Sequence, residues 1–261
     1  MIPSLLMYNL SEKVCAFSTE RYNGYSKGLY ASFNANEFCG DSIEAVSKNR
    51  LMLCNYLRIN PSKLIIPHQT HGVKCICVGE KFLSKNNEER NKELEGVDAL
   101  ITNNSRVCIT VSTADCIPIL MYDTKNNVIA AVHAGWRGTL LRITRVVLNG
   151  MKKEYGTMPK NVVAAIGPGI SLKAFEVGDE VYEAFADKGF SMLEIAKFNS
   201  NTNKWHIDLI RCNRNELEDS GVLSQQISES NICTFYSYKR FFSARRLGTK
   251  CGRILNGIFI K

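Results

Sequence analysis

The chain has 261 residues, enough to bury a sizeable core as one large domain or two small ones. Its 45% apolar content is ordinary for a globular protein, and no apolar run approaches the ~18 residues of a membrane span. The formal net charge of +8 suits anionic partners, and ten scattered cysteines without a C-x-x-C pair fall far below the density of a disulfide scaffold.

The start, Met1-Ile2-Pro3-Ser4-Leu5-Leu6, lacks a basic n-region and has too short an apolar stretch for a secretory signal, which points to the cytoplasm. Asn9 to Asn36 reads as short strands and loops. Asp41 then serves as N-cap, with Glu44 three residues on, for a helix whose apolar positions are Ile43, Val46, Leu53, Cys54 and Leu57. Arg50 projects into the middle of that stripe. A guanidinium on an apolar face needs an anion, either a structural carboxylate or a phosphate received in a site.

Asn60-Pro61 ends the helix. Lys63–Pro67 and Val73–Val78 read as strands around His68-Gln69-Thr70-His71-Gly72, where two of the four histidines lie at a strand-to-loop boundary. Being three apart, they face opposite ways on extended backbone, so one of them is expected to join a given site. Lys81 to Glu95 is charged and unpatterned, and reads as a solvated loop. Asp98, ahead of the apolar Ala99–Ile101, is either a turn former or a hydrogen-bond anchor.

The stretch Val107 to Thr139 organises the rest. Two apolar runs, Ile117–Tyr122 and Val128–His133, flank Asp123-Thr124-Lys125-Asn126-Asn127 and predict a hairpin. Folding about Lys125 places Cys116 almost opposite His133, and directly paired strand residues lie ~4.5–5.5 Å apart at Cα. Ala134-Gly135-Trp136-Arg137-Gly138 follows as a small-residue turn, and Thr139 is a plausible N-cap for a helix over Leu140–Tyr155 ending before Gly156. Beyond it come a buried strand at Val162–Ile166, a helix around Val177–Ala186, and another after Asp208 ending near Gly221. His206 is isolated and reads as structural. Tyr236 to Lys261 carries seven positive charges and no acid, interleaved with aromatics. That is a patch for phosphate-bearing partners, or a half-buried strand with one exposed face.

One histidine from the His68–His71 loop completes a Cys/His/His set with Cys116 and His133. Three protein ligands with a fourth position open is the pattern of a catalytic zinc. A Cys116–His133 nucleophile pair without metal is the direct competitor.

The segments His68-Gln69-Thr70-His71-Gly72, Gly96-Val97-Asp98-Ala99-Leu100-Ile101-Thr102, Thr113-Ala114-Asp115-Cys116-Ile117-Pro118, Val132-His133-Ala134-Gly135-Trp136-Arg137-Gly138 and Ala165-Ile166-Gly167-Pro168 occur in this order. Together they closely resemble the YfiH-like family of purine nucleoside phosphorylases, also labelled laccase-domain or polyphenol oxidase proteins. The resemblance runs from about Gly24 to the C-terminus, where Phe242-Ser243-Ala244-Arg245-Arg246 and Gly252-Arg253 also fit. It implies one α+β domain over residues 1–261, layered α/β/β/α, with His71, Cys116 and His133 as the metal-binding set. It also implies purine nucleosides and phosphate as substrates. The reactions are phosphorolysis of adenosine, inosine, guanosine or methylthioadenosine to base and sugar phosphate, together with adenosine deamination. Phosphate needs cations, and Arg50 is the foremost candidate, with Arg137 and Arg245 behind it and Gln69 on the substrate side. The chain departs from the family in reading Ala174-Phe175-Glu176-Val177 where members often have Cys-Tyr-Glu-Val, and Cys251-Gly252-Arg253 where they have Thr-Gly-Arg.

The laccase label implies copper. Four histidines with no H-x-H pair cannot furnish a multicopper array, so a single Cu2+ at the Cys/His/His set, oxidising phenols weakly, ranks second to Zn2+. A metal-free Cys-His hydrolase ranks third. A nucleic-acid partner on the basic tail is disfavoured because no ribonucleoprotein motif is present.

Overall fold

A computed structural model describes residues 1–261. Two mixed sheets stack face to face. The six-stranded sheet runs in the order Ile227–Glu229, Val162–Ile166, Ile117–Asp123, Val128–Ala134, Ala99–Thr102, Cys75–Cys77, with antiparallel pairs in the middle and a parallel pair at each edge. The five-stranded sheet runs Leu5–Tyr8, Val14–Thr19, Ile254–Ile260, Cys108–Thr113, Leu64–Ile65. A small third sheet joins Glu176–Val177, Lys204–Ile207 and Ala196–Asn199.

The cores show the layering. Leu100, Leu120, Ile129 and Ala131 of one large sheet meet Ala16, Ile109, Val111 and Ile258 of the other. The outer face of the six-stranded sheet packs Ile101, Met121 and Val132 against the helices Ile143–Tyr155, Asp179–Asp187 and Leu209–Asp219. The outer face of the five-stranded sheet packs Phe17, Cys108 and Leu255 against the helix Ile43–Leu57. The order is therefore α/β/β/α in an α+β fold. Because both faces of each sheet are covered, central strands such as Ile117–Asp123 and Val128–Ala134 are buried at every position and read as continuous apolar runs instead of alternating ones.

Several local expectations change. The cap of the first long helix is Ser42, whose side chain accepts from Ala45 N at 3.4 Å; Asp41 instead accepts from Asn34 Nδ2 at 2.9 Å. Lys81 to Glu95 is largely helical, as Glu80–Leu83 and Asn87–Leu94, because Asn86 and Glu89 form a reciprocal capping box and Phe82 and Leu94 are buried under the sheets. The helix expected over Leu140–Tyr155 is broken: Trp136–Leu140 is one helix and Ile143–Tyr155 the next, with Arg142 at φ 60° between them. Thr139 is not a cap but a buried acceptor, 2.9 Å from Asn213 Nδ2. The end of the basic tail is a fully buried seven-residue strand, Ile254–Ile260, with Ile258 facing the other sheet and Leu255 facing the helix layer, so neither face is exposed. The tail's charges lie outside that strand: Arg240 pairs with Glu20, and Arg246 lies over the rings of Phe235 and Tyr238.

Candidate metal centre

The hairpin pairs Ile117 with Ala134 and Pro118 with His133. Cys116 thus stands one residue beyond the last paired position, and its thiol meets the His133 ring diagonally rather than directly across. Two devices hold the thiol there. Asp115 takes φ 90°, turning the chain into the strand, and its carboxylate is fixed by Thr234 Oγ1 at 2.7 Å and by Arg245 N at 2.7 Å. Gly135 then passes close beneath: a Cβ at that position would lie 3.0 Å from His71 Cδ2 and 3.1 Å from Cys116 Sγ.

His71 arrives from a different part of the chain. It sits at φ 65°, in a loop gathered onto one carboxylate. Asp98 accepts from His71 N at 3.0 Å and Gly72 N at 2.7 Å, and from His133 Nδ1 at 2.7 Å. Asp98 is completely buried, directly ahead of the buried strand Ala99–Thr102. It was open between two roles in the sequence, and it is the anchor. A carboxylate leading into an apolar run was the available signal, since burial without partners is costly.

The ligand atoms of His71, Cys116 and His133 all lie within 4.8 Å of one another, and the two imidazoles meet edge-to-face at 4.8 Å between centroids. His71 is exposed, Cys116 half-buried and His133 buried, so the group opens to one side. Asp98 occupies Nδ1 of His133, which leaves Nε2 as the nitrogen available to a metal; a carboxylate behind a histidine ligand is the usual orienting partner. In the metal-free protein, burial pushes the Cys116 thiol up, but the charge and hydrogen bond of His133 and the neighbouring His71 outweigh it and lower it to about 6. Burial pushes His133 down, and the thiolate and Asp98 raise it to about 9. A thiolate beside an imidazolium results. Two imidazole nitrogens and an easily ionised sulfur on an open, glycine-floored cradle fit a tetrahedral divalent metal with one free position.

The group faces a cavity of about 240 Å³. Asn36, Phe38, Cys39, His68, Gln69, Ser112, Ala114, Ala244, Thr249 and Arg253 complete its lining. Both loop histidines therefore reach it, against the expectation of one, because the left-handed turn at His71 breaks the extended run. Only His71 joins the metal group; His68 pairs with Glu95 at 2.8 Å and stacks on Phe38. Gln69 is spent on backbone: it accepts from Ser112 N at 2.6 Å and donates to Ser112 O at 2.9 Å.

The three arginines expected to receive phosphate lie elsewhere. Arg50 donates to Ala35 O at 2.7 Å and pairs with Glu37 at 3.2 Å, lining a separate cavity; it has the structural carboxylate that its apolar stripe required. Arg137 is exposed over the Trp136 ring, and Arg245 donates to Glu176 O at 3.0 Å. The arginine among the residues lining the metal cavity is Arg253, whose guanidinium donates to the backbone carbonyls of Cys251, Gly252 and Thr249. The basic tail and the family-like Gly252-Arg253 were the sequence signals for it, and its contacts depend on the packing of Asn34 and Thr249 against it. His206 donates from Nδ1 to Leu172 O, 3.0 Å away, in keeping with a structural role.

Residues 15–261 match a family model described as multi-copper polyphenol oxidoreductase laccase. The chain is 49% identical over 244 residues to a purine nucleoside phosphorylase of Bacteroides thetaiotaomicron, covering 94% of this chain and 90% of that protein. It is 40% identical over 250 residues to adenosine deaminase RL5 from an unknown prokaryotic organism, covering 96% and 95%. The hypothetical protein YfiH of Bacillus licheniformis superposes with a TM-score of 0.91 at 25% identity, covering 99% of this chain and 97% of that one. YlmD of Geobacillus stearothermophilus superposes with a TM-score of 0.89 at 27% identity, covering 97% and 94%. On sequence and fold alike, the chain belongs to the multi-copper polyphenol oxidoreductase laccase family, the YfiH-like family whose relatives carry the name purine nucleoside phosphorylase.

Proposed function

We propose that this chain, as one catalytic domain over residues 1–261, is a zinc-dependent purine nucleoside phosphorylase of the cytoplasm. Its substrates are adenosine, inosine, guanosine and methylthioadenosine, with adenosine deamination as a second activity. The observation that carries the reading is the convergence of His71, Cys116 and His133 on one open cavity, with Asp98 behind His133. The names of the relatives supply the substrate class. Zinc held by these three residues would supply Lewis-acid chemistry at neutral pH.

The protein's own groups have definite tasks. Asp98 keeps the proton on His133 Nδ1 and holds the His71 loop at the mouth of the site. Phe38, half exposed and stacked on His68 at 4.4 Å, offers a flat aromatic wall to a purine base. Arg253, rather than Arg50, Arg137 or Arg245, is the cation on the cavity wall for phosphate. No helix is long and apolar enough to cross a membrane.

The decisive experiment assays adenosine and inosine with and without phosphate, with metal analysis of the same sample. Ribose 1-phosphate formed by zinc-loaded protein supports the reading; intact nucleosides under every condition refute it. Copper-dependent phenol oxidation is weaker, because one three-ligand group and four histidines provide for one metal, not several. A metal-free hydrolase has one specific observation in its favour: Asp98, His133 and Cys116 are ordered like the acid, base and nucleophile of a catalytic triad. His71 has no task in such a triad. Full activity on an amide in metal-free protein would establish that alternative.

A further inference from the structure

Ser112 is the last residue but one of the strand Cys108–Thr113, and it lines the metal cavity. It is only 5% exposed, and its Oγ is buried with no hydrogen-bond partner anywhere in the protein. A buried hydroxyl without a partner is destabilising, and such groups are rare in folded chains. Nearby hydroxyls are all engaged: Ser18 donates to Asn256 Oδ1, Thr110 donates to Ile65 O, and Thr113 accepts from Asn256 Nδ2.

The backbone of the same residue is held unusually firmly. The strand Leu64–Ile65 pairs in parallel with Cys108 and Ile109, then leaves the sheet for the histidine loop. Gln69 closes the gap with its side-chain amide, which accepts from Ser112 N and donates to Ser112 O as a neighbouring strand would. The serine backbone is thereby fixed in place while the bonding capacity of its hydroxyl stays unused. The same loop carries His71, so one segment holds both the metal ligand and, through Gln69, the backbone of Ser112 beside the cavity.

We propose that Ser112 is a substrate-binding residue whose hydroxyl hydrogen-bonds a ribose hydroxyl of the nucleoside, and that Gln69 is its positioning residue. The ribose is assigned to it because the purine, a flat apolar ring system, has its wall at Phe38 on the rim, which is 45% exposed. The sugar is left for the part of the cavity lined by Ser112, whose hydroxyl lies just beneath the surface with no partner. A site that commits a buried polar group to one substrate hydroxyl rejects the analogue lacking it. The protein therefore prefers ribonucleosides to the corresponding deoxynucleoside.

This rests on the nucleoside reading, so the test separates the two. Zinc-loaded wild type, Ser112→Ala and Ser112→Thr are titrated by calorimetry with adenosine, 2′-deoxyadenosine, 3′-deoxyadenosine and 5′-deoxyadenosine, and turnover of each is followed in parallel. Wild type is expected to bind adenosine on the order of tenfold more tightly than 2′-deoxyadenosine or 3′-deoxyadenosine, and 5′-deoxyadenosine about as tightly as adenosine, since methylthioadenosine also lacks the 5′ hydroxyl. Ser112→Ala abolishes that difference while keeping its zinc, and Ser112→Thr, which retains a hydroxyl, restores it. If Ser112→Ala weakens every ligand equally or none, the assignment is overturned while the nucleoside reading survives. If the discrimination is seen without turnover, the reading of the reaction falls and the assignment stands. If adenosine does not bind the wild type, both fall.

Discussion

Replacing Asp98 by Asn tests the centre most severely, because it removes no atom from the metal group. Oδ1 of Asp98 accepts from His71 N and His133 Nδ1, and Oδ2 accepts from Gly72 N. An amide keeps one oxygen and turns the other into a donor that faces donors. If the NH2 takes the Oδ1 place, His133 loses its orienting partner and His71 its backbone tether; if it takes the Oδ2 place, the loop is freed at Gly72. Each orphaned buried donor costs about 1–3 kcal/mol. Loss of an orienting partner behind a metal ligand typically costs about 10–100-fold in metal affinity. The expected outcome for Asp98→Asn is a zinc affinity reduced by that factor in a chelator competition, with folding stability reduced by roughly 2–4 kcal/mol.

The pH dependence has a definite sign. Burial pushes the Asp98 carboxyl up, but the hydrogen bond and charge of His133 and the N–H groups of Gly72 and His71 outweigh it and hold it below its usual 3.8. A folded-state value below the unfolded one contributes stability that is complete above the unfolded value and lost as pH falls through the folded one. In the metal-free protein the gap between wild type and Asp98→Asn should be largest between about pH 4 and 6.5; it should shrink below that window as Asp98 is protonated, and above it as His133, raised to about 9 with the help of Asp98, loses its proton. Zinc affinity within twofold of wild type, together with an unchanged thermal midpoint, would refute the role assigned to Asp98.

Cys116→Ala or His133→Ala should remove both metal and turnover; stoichiometric metal retained in either variant would sink the ligand assignment. In metal-free protein at pH 7, iodoacetamide should modify Cys116 first, since His133 and His71 lower its thiol to about 6 while burial raises those of Cys54, Cys75 and Cys108. Added zinc should protect it, and peptide mapping that finds another cysteine labelled faster would contradict this. Gly135→Ala places a methyl 3.0 Å from His71 and 3.1 Å from Cys116, so zinc affinity should drop at least tenfold with the fold intact, as read by equilibrium dialysis and circular dichroism. Arg253→Ala should raise the phosphate KM on the order of tenfold with little change in the nucleoside KM; the opposite split would move phosphate to another residue.

What the sequence determined by itself was local. The Asp/Asn turn between two apolar runs specified the hairpin, and with it the face shared by Cys116 and His133, because turn chemistry and strand alternation act over a few residues. Val162–Ile166 and the helix ending before Gly221 were legible for the same reason. The helices within Lys81–Glu95 were hidden because charged residues on a short, capped segment carry no hydrophobic period. Tertiary structure decided everything that depended on elements distant in sequence. It chose Asp98 as the point where the His71 loop and His133 meet, gave Arg50 a carboxylate partner away from the cavity, and brought Arg253 to the cavity wall beside a buried C-terminal strand. Spacing along a chain encodes which face a side chain shares with its near neighbours. Which distant face it meets is set by how two sheets stack, and that is a property of the whole core.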